Sequence, residues 1–213
     1  MKWKLISFYT VNTPYEKIVQ RLITSAAKNN VDLQLYPIES EKDWVKNCSK
    51  KSGILLKAME SFPDYDIAYT DADSIIMKYP AIFDTLHGWD IAYYYMEHRK
   101  EILSGTLYFT NSVKSRDLVK RWDMLNQGNA AWDQKNLQEV IEKNSEDLNL
   151  SKFLLPEKDC LIYDNKQQLE KLWGEPSIIH CQASRLTRGM ILNGINTDVY
   201  LPGWNDVKCK ISN

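Results

Sequence analysis

The sequence predicts an α/β protein folded as one domain, and three observations predict it. Apolar runs alternate with helix-period patterns through residue 70, as parallel strands joined by right-handed crossovers require. Beyond Asp73 short apolar runs follow one another with only two helical stretches between them, the mark of a mixed sheet. The 213 residues, 44% of them hydrophobic, suffice for one continuous core, and no repeat, low-complexity tract or linker divides them.

Taken in order, Leu5 to Tyr9 is an apolar strand that ends in a Thr-Val-Asn-Thr-Pro loop. Ile18, Val19, Leu22, Ile23 and Ala26 then share one helical face. Its start is marked by Thr13 as N-cap, Pro14 at the first helical position and Glu16 completing a capping box. Leu33, Leu35 and Ile38 alternate with other residues as a second strand. Ile54, Leu55, Ala58, Met59 and Phe62 make a second helix, which Pro63-Asp64 ends. Ile67 to Thr70 is a third strand, so the amino-terminal half is Rossmann-like. Further strands are expected at 75–77, 91–95, 107–109, 153–155, 161–163 and 178–180, with helices at 115–125 and 133–143. The last residues, with Gly189, Gly194 and Gly203, read as a tail or flap over 186–213.

Composition narrows the function. Twenty-seven basic against 28 acidic residues leave a formal charge of -1, which disfavours a polyanion partner held by bulk charge. No apolar run is long enough for a membrane span, and the apolar start is too short for a signal h-region. Cys48, Cys160, Cys181 and Cys209 are scattered without a C-x-x-C pair, so they read as reduced residues of a cytoplasmic protein. The N-x-S sequons at Asn47 and Asn149 are then idle. Seven Trp and 12 Tyr are a surplus that fills cores and also suits flat or sugar-like ligands.

The most informative segment is Thr70-Asp71-Ala72-Asp73, where an apolar strand runs into two carboxylates one residue apart. In an extended chain residues i and i+2 point the same way, so both would reach one hard divalent cation, Mg²⁺ or Mn²⁺. A surface turn is the competing reading, but the carboxyl end of a strand is where open α/β sheets place their ligand crevice.

This segment resembles the D-x-D motif of GT-A-fold glycosyltransferases that use nucleotide sugars. The similarity extends to Tyr9 and Thr10, Lys51, Ser104-Gly105-Thr106-Leu107-Tyr108-Phe109, Trp132-Asp133-Gln134 and Ile178-Ile179-His180, spanning roughly residues 3 to 185. The resemblance implies a GT-A-like fold, with residues 1–73 as nucleotide-binding half and 74–185 as acceptor and sugar half. It implies that Asp73 binds the metal directly, that Asp71 binds the metal or the donor ribose, and that His180 is a third ligand. On position alone His180 reads equally as a buried histidine, whereas His87 and His98 have no such partners. Tyr9 and Thr10 would meet the base and ribose, Lys51 before the second helix would lie near the nucleotide, and Gly105 and Thr106 would pass close to the donor sugar. Asp133 and Gln134 would act at the reacting sugar, unless Asp133 is simply an N-cap. Arg185, with Arg188, would clamp the diphosphate.

The implied reaction is metal-dependent transfer from a nucleoside diphosphate sugar, UDP-sugar favoured, to a saccharide or other acceptor hydroxyl, with the Asp-Gln pattern closer to retaining families. A DNA acceptor is disfavoured by charge. The alternatives are a nucleotide-sugar-binding module without turnover and a haloacid-dehalogenase-type phosphatase. The phosphatase would need Thr or Val where Ile75 stands and a late G-D-x-x-x-D, which is missing.

Overall fold

The computed structural model describes residues 2–128, 131–162 and 176–193. Its elements are β1 (Lys2–Thr10), α1 (Tyr15–Lys28), β2 (Leu33–Ile38), α2 (Trp44–Ser61), β3 (Tyr65–Thr70) and β4 (Ser74–Ile76), then β5 (Ile91–Met96), β6 (Glu101–Phe109), α3 (Val113–Gly128), α4 (Asp133–Asn144), β7 (Lys152–Leu154), β8 (Leu161–Ile162), β9 (Ile178–His180) and α5 (Ser184–Leu192). The main sheet has the order β2-β1-β3-β6-β5-β7, and a smaller one the order β4-β9-β8. β1 is parallel to both β2 and β3, whereas β6 is antiparallel to β3 and β5. The α/β expectation therefore holds, with parallel strands in the amino-terminal half and a mixed sheet after it.

Period-2 alternation gives the sheet two apolar faces. Ile67, Tyr69, Leu107 and Phe109 face α2, α3 and α4, where Leu55, Met59, Leu118, Trp122 and Leu137 complete one core. Ala68, Ala92 and Tyr108 point the other way and pack with Leu22, Ala26, Phe83 and Ile178. The small sheet is seated on α1 through Ile18, Ile75, Leu161 and Ile179. Ser25 of α1 and Asn29, which caps its end, also bond the backbone N–H and carbonyl of Ile76, at 3.0 and 2.9 Å.

Four local expectations are corrected. The Thr13 hydroxyl accepts from the Tyr15 N–H at 3.2 Å and pairs with Thr10 instead of forming the expected capping box, and α1 is counted from Tyr15. Helix α2 begins at Trp44, because Asp43 caps it by accepting from the Lys46 N–H at 3.1 Å, so Lys51 lies inside the helix. Strand β6 begins at Glu101, six residues before the apolar run that marks it, and α5 is helical where a tail was expected. Tyr163, Gly194, Gly203 and Cys209 lie outside the described residues, as does most of the expected flap.

The first half of β6 stays in the sheet without a strand partner on its β3 side. The register of β6 with β3 runs only from Thr106 to Phe109, so earlier N–H groups need other acceptors. Gln138 and Gln134, one turn apart on α4, supply them: their side-chain oxygens accept from Ile102 N at 3.1 Å and Ser104 N at 3.3 Å. This docks α4, and with it Asp133, against the middle of β6.

Candidate active site

The carboxyl ends of β1, β3 and β9, the middle of β6 and the first turn of α4 converge on one cavity of about 230 Å³. Tyr9, Thr10, Lys51, Asp71, Asp73, Gly105, Asp133, Gln134 and His180 all line it. Thr106 stands behind His180, and Arg185 is exposed and does not line the cavity.

Asp71 and Asp73 do come together with His180: one ligand atom from each lies within 4.8 Å of the others. The geometry differs from the extended dipeptide expected. The Ser74 N–H donates to the Asp71 carbonyl at 3.0 Å, closing a turn through Ala72, while the Asp71 N–H donates to the Gly105 carbonyl at 3.0 Å. Asp73 also accepts the Ala183 N–H at 2.6 Å, so it caps the start of α5 from a distant part of the chain. Burial first, and then the charge of Asp71, push the Asp73 carboxyl up to about 6.

His180 is buried, with Nδ1 3.0 Å from the Ser74 hydroxyl and Nε2 2.8 Å from the Thr106 hydroxyl. Burial lowers its pKa to about 4, so the ring is neutral at pH 7, the form that ligates a metal. The two hydroxyls satisfy both ring nitrogens as those of a core histidine are satisfied; as a metal ligand the ring would exchange one hydroxyl for the cation and keep the other as its orienting partner. Gly105 permits this packing. A Cβ there would lie 2.9 Å from His180 Cε1 and 3.3 Å from Asp71 Oδ2.

Lys51 joins the two acidic parts of the site. Only 3% exposed, its Nζ lies 3.1 Å from Asp71 Oδ1 and 2.9 Å from Asp133 Oδ2, and it donates to the Ser104 carbonyl and hydroxyl at 3.0 Å. Burial opposes its charge, but Asp133 and Asp71 outweigh that and hold its pKa above the ordinary lysine value. Tyr69 donates to Asp71 Oδ1 at 2.8 Å, so this oxygen is fully committed and Oδ2 is left on the Gly105 and His180 side. Asp133 is the first residue of α4, not its N-cap; Trp132 takes that place. The Asp133 carboxylate accepts from the Ser104 hydroxyl at 2.9 Å, and its carbonyl accepts from the buried Trp122 indole at 2.8 Å.

Sequence reasoning missed Tyr69, Ser74 and Ser104 as partners and Trp44 as a lining residue. Trp44, Asn47, Cys48 and Lys51 line the cavity from α2, spaced three, four and seven residues from Trp44. The signal that finds them is the Asp43 cap. With the helix started there, Lys51 falls on the face of Ile54, Leu55 and Ala58.

No family model and no curated protein matches this sequence. Among solved structures it is similar to a glycosyltransferase involved in the glycosylation of the major capsid of PBCV-1, with a TM-score of 0.66 and 14% identity over 87% of this chain and 98% of that one. The chain has a glycosyltransferase fold. It is also similar to the glycosyltransferase GlyE of Streptococcus pneumoniae TIGR4, in its apo form with a TM-score of 0.54, 12% identity and 99% of this chain covered. A second GlyE structure gives 0.53, 13% and 98%. The match spans 63% of the GlyE chain, and nearly the whole of the PBCV-1 enzyme. The shared architecture is the GT-A-like one. Among the described residues no helix is long and apolar enough to cross a membrane.

Proposed function

We propose that the protein is a metal-dependent glycosyltransferase that moves a sugar from a nucleoside diphosphate sugar, UDP-sugar foremost, to an acceptor hydroxyl. One observation carries this reading: in a glycosyltransferase fold, Asp71, Asp73 and His180 meet at the carboxyl ends of the strands. Two carboxylates and a neutral imidazole suit Mn²⁺, and Mg²⁺ is served by the carboxylates alone. The charges fit as well. Asp71, Asp73 and Asp133 as carboxylates against Lys51 as ammonium leave two negative charges for a dication to balance.

The cation held there would supply Lewis-acid stabilisation of the departing nucleoside diphosphate. The chain's own residues do the rest. Lys51 and Tyr69 fix Asp71 Oδ1, so that Oδ2 points to the ligand side. Lys51 and Ser104 occupy Asp133 Oδ2, leaving Oδ1 to accept a donor-sugar hydroxyl beside the reacting carbon. Gln134, held against β6 by its bond to Ser104 N, supports that orientation rather than moving a proton. Gly105 lets His180 and Asp71 close against the strand backbone beside the donor sugar, and Tyr9 and Thr10 receive the base and ribose. Transfer with retention is the outcome that the Asp133-Gln134 pattern suggests by its resemblance to retaining families. The free thiols of Cys48, Cys160 and Cys181 support a cytoplasmic setting.

The test is thermal melting with UDP, GDP, CDP and ADP, each with and without Mn²⁺. A ligand at one hundred times its dissociation constant adds about 2.7 kcal/mol, a shift of about 5 to 10 °C for a domain of this size. A Mn²⁺-dependent shift with one nucleotide is expected and names the donor class. No shift with any of the four contradicts the proposal.

A further inference from the structure

Two tryptophans stand at the mouth of the cavity. Trp44 at the start of α2 and Trp132 just before α4 have ring centroids 5.5 Å apart at an interplanar angle of 89°. Both line the cavity, and Trp132 is 44% exposed, a large apolar surface to leave in water beside a polar site. The two rings touch edge to face, and the Trp44 ring is covered from within the chain. The Arg188 guanidinium of α5 lies 3.5 Å from the Trp44 ring centroid and 5.7 Å from that of Trp132. Arg188 is itself exposed, so this is a contact that solvent and ligands reach.

We propose that the Trp44 and Trp132 rings form the subsite for the acceptor, that the acceptor is a saccharide which stacks a pyranose face on one ring with the perpendicular second ring as a side wall, and that Arg188 is a displaceable occupant of that subsite. The inference rests on the glycosyltransferase reading and names its acceptor class. Placement favours the acceptor over the donor. Trp132 is adjacent in sequence to Asp133, whose carboxylate is tied through Lys51 to the cation cluster, so a ring stacked on Trp132 sits beside the reacting sugar. Tyr9 and Thr10, which the nucleotide would meet, come from β1 instead. An indole face presents a flat apolar surface with a negative quadrupole. It suits the C–H face of a pyranose, whose axial hydrogens carry partial positive charge, as well as it suits a guanidinium.

Stacking of this kind depends little on which pyranose is offered, so a simple probe is informative before the natural acceptor is known. The experiment follows the indole N–H resonances of the protein, assigned by Trp44→Phe and Trp132→Phe, during titration with methyl β-glucopyranoside to 100 mM, in the wild type and in Arg188→Ala. Each protein is also melted with UDP and Mn²⁺. The expected result is that the probe moves the Trp44 and Trp132 resonances, about fivefold more tightly in Arg188→Ala, where the competing cation is gone. Trp132→Ala is expected to lose the response and to keep the nucleotide shift.

Failure of the resonances to move in Arg188→Ala overturns the subsite while leaving the donor site standing, provided the nucleotide shift is present. A Trp132→Ala protein that folds but loses the nucleotide shift overturns it differently, by assigning the platform to the base. If Trp132→Ala does not fold, Trp132→Leu takes its place. A wild type without any nucleotide shift is the separate failure of the glycosyltransferase reading itself.

Discussion

At the scale of single residues, the site depends on one missing side chain and one buried charge. Gly105 is needed for space rather than for an unusual backbone angle: any Cβ there meets the His180 ring at 2.9 Å. Both His180 nitrogens are held by Ser74 and Thr106, so the ring has little freedom to retreat. Gly105→Ala is therefore expected to cost about 1–3 kcal/mol of stability, as overpacking of a close-packed site does, and to weaken Mn²⁺ binding at least tenfold. Urea unfolding and metal titration measure the two effects separately. A variant of unchanged stability and metal affinity would mean that the His180 ring moves freely. Lys51 is the counterpart. Its single charge serves Asp71 and Asp133 together, which makes it a positioning residue between the cation cluster and the sugar side of the site.

At the scale of elements, the glutamine pair of α4 separates structural from functional roles. Gln138 and Gln134 make the same kind of bond to the stretch of β6 that pairs with β5 but not with β3, and only Gln134 lines the cavity. Gln138→Ala is expected to cost about 1 kcal/mol, the worth of one such bond, with donor-sugar turnover retained. Gln134→Ala is expected to cost about the same in stability and also to lower turnover, because Ser104, a partner of both Lys51 and Asp133, loses its anchor. Melting and donor hydrolysis, measured on both variants, check this; equal turnover in the two would remove Gln134 from the site. Elements also show what the sequence could reveal. Strand β3, ending at Thr70 just before Asp71, is legible because four apolar-compatible residues run straight into the carboxylates. The start of α2 is obscured by the charged stretch from Glu39 to Lys46, and Lys50 with Lys51 reads as a solvated face. The first half of β6, Glu101 to Gly105, has no period-2 pattern of its own, and α4 supplies part of its hydrogen bonding through long-range contacts. The helix α5 is hidden for the same reason: its start is capped by Asp73, 110 residues away.

At the scale of the whole molecule, one apolar face of the main sheet holds α2 and α4, which bring Lys51 and Asp133 to the site, while α5 is tied to the site by the Asp73 cap at its start. Tyrosines of that sheet titrate against folding. Burial raises the pKa of Tyr93, and burial with the bond to Asp66 raises that of Tyr108. Their folded values lie above the unfolded value of about 10, so the native state keeps protons that the unfolded chain releases. Stability from this source is complete below about pH 10 and is lost as pH rises beyond it. Urea midpoints at pH 8 and pH 10.5 are expected to fall with pH, and Tyr108→Phe is expected to flatten the fall.

The central claim is that Asp71, Asp73 and His180 together hold one divalent cation for a nucleotide. Electron paramagnetic resonance of Mn²⁺, titrated with UDP present into the wild type and Asp73→Asn, tests it most directly. The account predicts one bound Mn²⁺ per chain in the wild type and at least a hundredfold weaker binding in Asp73→Asn, with circular dichroism unchanged. Equal binding by the two proteins, or none by the wild type, would contradict it.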